Sequence, residues 1–206
     1  RLPLSDRWPL ADALAQSVQD HGDDNLVSLL WYGIEPAVMN DLPRALRLAQ
    51  QTKIDSLRTW IARRITVEVD RQPTALGQLL GMVASAEKAS AGLQRQLLAG
   101  IRDGLQGRRQ LTAPANWQRA QERWRQTGDP QIAAMLKQVG VIFGDGVAME
   151  ELLKTARDKA LPAATRRSAL QSMVSVKAAG TASLLQSLVN DRAVQSVAIR
   201  GLAAFD

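Results

Sequence analysis

The chain has 206 residues, of which 46% are apolar and 22% charged, the balance of a folded globular protein rather than of a disordered one. It has no cysteine and one histidine, His21, which removes disulfides, thiolate nucleophiles, thiolate zinc sites, CxxCH haem attachment and any multi-histidine metal site from this segment. The net charge of +6 permits contact with polyanions without requiring it, and no apolar run reaches the roughly 18–20 residues that a membrane-spanning helix needs.

Charge is polarised along the chain. Residues 1–40 are net acidic, whereas 101–125 hold six arginines against two carboxylates. The chain starts without an initiator Met and stops at GLAAFD inside what reads as a helical unit, so we expect a piece or processed product of something longer.

Helical periodicity runs nearly throughout. It predicts helices near 9–20, 25–33, 41–51, 54–66, 73–86, 89–106, 115–126, 130–142, 146–158, 162–175, 181–189 and 191–204. After the first of these comes QDHGDDN, a polar loop that holds His21. In the second, NLVSLLWYGIEP, Leu26, Leu29 and Leu30 form one stripe, Trp31 and Tyr32 extend it around the helix, and Gly33 with Pro36 ends it. Large aromatics at a helix end fill gaps between helices, and Glu35 can bond backbone groups or an arginine. A working site is the rival reading of Trp31, Tyr32 and Glu35. It carries less weight, because a lone glutamate lacks the second group that acid/base chemistry requires.

In 54–66 the apolar residues Ile54, Leu57, Ile61 and Ile65 recur at helical spacing and leave Arg58, Arg63 and Arg64 on other faces. Trp31, Tyr32, Glu35, Trp60 and Ile61 are therefore read as packing determinants. Trp60→Ala is expected to cost roughly 3–5 kcal/mol through cavity formation. Leu93, Leu97, Ile101 and Leu105 make a further stripe. TVEV (66–69) and VIF (141–143) have no convincing partner strand and read as helix ends or loops.

The segment 101–126 mixes Arg108, Arg109, Arg119, Arg123 and Arg125 with Trp117 and Trp124, residue types that grip phosphates and stack on bases. The two tryptophans are also seven apart, two helical turns, so they can share a buried face while the arginines stay solvated. Both readings stand at this point. Asp129-Pro130 is a helix start, and Asp145, Thr181 and Asp191 are further candidate caps. Gly104, Gly107, Gly128 and Gly144 punctuate helix ends. GVIFGDG (140–146) lacks the Gly-Lys-Ser/Thr ending of a phosphate loop and reads as a turn between helices.

Near the C-terminus SALQSMVSV (168–176) lies on VAIRGLAAF (197–205) after a 29-residue slide, with its apolar register kept. Short loops between successive helices and this repeat imply an all-α fold, a HEAT-like α-solenoid of antiparallel helix pairs. The period is shorter than the roughly 40–47 residues usual for HEAT and armadillo units. One helical-repeat domain is expected over 1–206, its regular repeats in 127–206.

With these residues set out, a resemblance can be stated. NLVSLLWYGIEPAVMNDLPRALRLAQQTKIDSLRTWIARRI (25–65), LLAGIRDGLQGRRQLTAPANW (97–117), VGVIFGD (139–145) and AIRGLAAFD (198–206) resemble the helical middle region of the PVC-type haem-binding CxxCH proteins, often labelled membrane-bound dehydrogenases. Where members of that family often carry a histidine before the asparagine and a proline two positions after it, this chain has Asp24 and Val27. The resemblance implies a β-propeller before a HEAT-like array and a c-type cytochrome domain after it. It further implies an exported, periplasmic or cell-surface protein whose haem c lies elsewhere in the parent.

No catalytic, cofactor-binding or metal-binding residue is assigned to this segment. The expected role is a noncatalytic scaffold that positions neighbouring domains or protein partners, without membrane insertion. The alternative is a nucleic-acid-binding helical-repeat protein, a DNA-glycosylase-like solenoid, with Arg108, Arg109, Trp117, Arg119, Arg123, Trp124 and Arg125 as its polyanion contacts.

Overall fold

A computed structural model describes residues 2–16, 24–86, 90–108, 111–144, 146–178 and 180–205. His21, Arg109 and the expected cap Asp145 lie outside the described residues. After a 3-10 turn at Leu4–Arg7 come α1 (Trp8–Leu14), α2 (Asp24–Val38), α3 (Leu42–Gln51), α4 (Asp55–Val67), α5 (Pro73–Ser85) and α6 (Ala91–Gly104). These are followed by α7 (Trp117–Arg125), α8 (Pro130–Ile142), α9 (Gly146–Arg157), α10 (Ala163–Ser175), α11 (Thr181–Leu188) and α12 (Gln195–Leu202). No strand occurs among the described residues, and no helix there is long and apolar enough to cross a membrane.

Helix ends follow local chemistry. Asp41 accepts from the Arg44 amide and Ser90 from the Leu93 amide, while Asp129 takes the amides of Gln131 and Ile132 at the head of α8. Asp191 does not open α12. Its carboxylate accepts from the Ala193 amide in a turn, and the helix begins four residues later, at Gln195.

The expected stop at Gly33 and Pro36 is overrun, and α2 continues to Val38 with Pro36 inside it. A proline within a helix lacks an N–H and crowds the carbonyls one turn back. Here the Gly33 carbonyl accepts from Arg7 Nη1 at 2.8 Å, and the Asn40 side chain bonds the Pro36 carbonyl at 3.2 Å, so polar groups near the proline find partners outside the helical ladder. The core face of α2 also differs from the expected stripe. Val27, Ile34, Ala37 and Val38 are buried, whereas Leu26 and Leu29 are exposed.

Within the chain two compact units can be distinguished. The first comprises Arg1–Leu105 with Pro114–Leu136 and the second Gln106–Ala113 with Lys137–Asp206, so the division falls within α8. In the first unit α4 is central, packed against α2, α3, α5 and most closely α6, while α5 also packs on α7. That closeness depends on small residues. A Cβ at Gly100 would stand 2.2 Å from the Thr59 carbonyl oxygen, and one at Gly104 would stand 2.7 Å from Thr66 Cβ. In the second unit α10 packs on α9, α11 and α12.

Arg58, set apart from the apolar stripe by its spacing, is nonetheless buried at the head of α4. Its Nε donates to the Ala49 carbonyl at 2.8 Å, and its Nη groups reach the Thr52 carbonyl, Asp55 and Gln96. One guanidinium thus satisfies the carbonyls that α3 leaves open at its C-terminal end. Arg166 plays the same part in the second unit, with Nε on the Ala156 carbonyl near the end of α9 and Nη2 on Asp191 at 2.6 Å.

Candidate docking groove and aromatic cleft

Two depressions flank α2 in the first unit, one apolar and one mixed. The apolar groove, about 760 Å³, lies between the N-terminal segment with α1 on one side and α2 on the other. Leu2, Leu10, Leu14, Leu26, Leu29 and Tyr32 line it with large side chains turned to solvent, Leu29 being 65% and Tyr32 69% exposed. Six such side chains around one depression form a patch of the kind that marks an interaction surface, unlike isolated surface leucines. Arg7 lines the same groove and ties its sides together, with Nε on the Leu2 carbonyl at 3.1 Å and Nη1 on that of Gly33.

The second depression, about 440 Å³, lies between α2 and α4 and is lined by Ser28, Trp31, Tyr32, Glu35, Trp60, Arg63, Arg64 and Val67. Helical spacing explains the grouping. Ser28, Trp31, Tyr32 and Glu35 fall at steps of three and four on α2, as do Trp60, Arg63, Arg64 and Val67 on α4. The Trp31 and Trp60 rings meet with centroids 5.9 Å apart and planes tilted by 49°, and both keep part of their surface in solvent. Arg64 bridges two carboxylates, Glu68 at 2.5 Å and Glu35 at a looser 3.9 Å. The Arg64 hydrogen bond, with its positive charge and that of Arg71 nearby, holds the Glu68 carboxyl below its usual range. Arg63 is exposed, and among the described residues no carboxylate stands within ion-pair distance of it.

The five expected packing residues thus separate. Ile61 is fully buried. Trp31 and Trp60 pack on each other, each mostly covered but with part of its surface in solvent, so Trp60→Ala removes a largely buried ring. Tyr32, 69% exposed, forms a ridge shared by groove and cleft, because one further residue along α2 rotates a side chain by about 100°. Glu35 reaches an arginine, Arg64, as its helical position allows.

The basic segment is resolved differently. Trp117 and Trp124 are buried, their rings 6.2 Å apart, so neither presents a face on which a base could stack. Arg123 donates through Nε at 3.0 Å and Nη2 at 2.7 Å to the Ala86 carbonyl, closing the end of α5. Arg119 and Arg125 are exposed, and Arg108 is partly exposed. Among the described residues no group of three or more His, Asp or Glu side chains is placed to hold a metal ion. Comparison with protein-family models, with curated proteins and with solved structures gives no match.

Proposed function

We propose that the chain is a noncatalytic helical-repeat interaction module, a HEAT-like array that positions neighbouring domains of a larger, exported haem-containing protein. The observation that carries this reading is the exposed apolar groove of α1 and α2, since large leucines kept in water are costly unless a partner covers them. Helix pairing adds support. Arg58, Ile61, Ala62 and Ile65 of α4 and Arg166, Ala169, Leu170 and Met173 of α10 are buried in one identical register, 108 residues apart. Repetition of a buried pattern is how stacked helix pairs are encoded.

The test is to isolate the native protein from its source with an antibody to this segment and to record its mass and visible spectrum. A much larger chain with a haem Soret band supports the reading. A haem-free protein of about this size overturns the haem-protein context. In that larger chain, amides of α1 and α2 should exchange more slowly than in the isolated 206-residue chain; equal rates would show that nothing docks in the groove.

A further inference from the structure

We propose that the cleft between α2 and α4 binds an anionic sugar chain, its rings lying on Trp31 and Trp60 and a carboxylate meeting Arg63. Three observations lead there, none of which uses the leucines of the apolar groove or the docking role. First, the cleft has an aromatic wall still partly open to solvent, whereas Trp8, Trp117 and Trp124 are buried. A ring left at the surface offers the weakly polar C–H face of a pyranose a place to pack while the sugar hydroxyls stay at the rim.

Second, the wall is bent. With planes at 49° and centroids 5.9 Å apart, the two indoles touch and leave no parallel slot for a flat heterocycle to enter. A planar base would cover one ring only, whereas successive pyranoses, set at an angle to one another by the glycosidic link, can follow two differently inclined faces. Third, the polar groups around the wall are of both kinds. Arg63 and Arg64 donate, Glu35 accepts, and the Ser28 and Tyr32 hydroxyls do either, which suits a ligand rich in hydroxyls.

Charge then selects among sugars. Arg64 is engaged by Glu68 and Glu35, leaving Arg63 as the cation without a carboxylate partner among the described residues. A guanidinium pairs best with a planar carboxylate through two parallel hydrogen bonds, so a uronic acid residue suits it better than a neutral hexose. The volume, about 440 Å³, accommodates two or three rings with their outer edges in solvent.

Isothermal titration of the 206-residue chain with trigalacturonate at low salt tests this, with cellotriose and a dinucleotide as controls. Saturable heat from trigalacturonate is expected, with cellotriose at least about tenfold weaker, and Arg63→Gln, a surface change that leaves the packing intact, should weaken the uronate about tenfold. Arg119→Gln together with Arg125→Gln should leave it unchanged, which separates the cleft from general attraction of polyanions to a basic protein. No saturable heat at millimolar trigalacturonate, equal binding by Arg63→Gln, or tighter binding of the dinucleotide would each overturn the assignment.

Discussion

Arg58 and Arg166 are charged yet nearly excluded from water, and each acts as a bracket between the helix it heads and the end of the helix before it. Burial depresses the Arg58 pKa, opposed by Asp55, and the side chain stays charged because its donors are taken up by carbonyls and Asp55. Arg58→Ala leaves the Ala49 and Thr52 carbonyls without that partner and should cost roughly 3 kcal/mol in chemical denaturation. Arg58→Lys should recover little of this, since one ammonium cannot reproduce the fork. Helical periodicity set Arg58 apart from the apolar stripe and does not reveal that either arginine is buried. The legible signal was the pair of apolar positions three and four residues after each arginine, Ile61 with Ala62 and Ala169 with Leu170.

The partner of Arg166 carries a pH dependence. The Arg166 hydrogen bond, helped by the Ala193 amide, holds the Asp191 carboxyl below its ordinary 3.8. Its folded pKa being the lower one, Asp191 contributes stability that is complete above about pH 4 and is lost as pH falls through the depressed value. Thermal midpoints should therefore drop more steeply below pH 4 in the wild type than in Asp191→Asn, which should already be less stable at pH 7. Parallel curves would mean that this pair contributes nothing.

At the scale of elements, the α4–α6 contact rests on Gly100 and Gly104. Helix propensity alone favours alanine over glycine by about 1 kcal/mol, so Gly100→Ala on an open helix face would stabilise. Here the new methyl would meet a main-chain oxygen at 2.2 Å and Ala62 Cβ at 2.7 Å, contacts relieved only by parting the helices. Destabilisation of about 1–3 kcal/mol is expected, and the sign of the change in midpoint separates the two effects. The end of α10 offers the opposite case. Lys177 takes φ +47°, with the Ala178 amide returning to the Met173 carbonyl at 3.1 Å in a left-handed helix cap. Lys177→Gly should therefore stabilise by about 0.5–1 kcal/mol in the same assay.

Most helices and their spans were legible, because short amphipathic segments with Asp, Ser or Pro at their heads declare themselves locally. The persistence of α2 past Pro36 was not, nor was the bond to the Gly33 carbonyl from Arg7, 26 residues away. The groove and cleft were half-legible for the same reason. WYGIEP and WIARR stood out, but spacing within one helix does not reveal that Trp31 faces Trp60, nor that Leu26 and Leu29 belong to a rim while Val27 and Ile34 face the core.

For the molecule as a whole, the division into two units allocates the aromatic side chains unevenly. Trp8, Trp31, Trp60, Trp117 and Trp124, with Tyr32, all fall in the first unit, and the second has only Phe143 and Phe205. Intrinsic fluorescence is accordingly blind to the second unit, whereas far-ultraviolet dichroism, which senses helix, sees both. Heating the Asp191→Asn variant under the two optical probes then asks whether the chain melts as one body. A dichroism transition that moves while emission holds its midpoint would show two independent melts, and equal shifts would show a single cooperative one.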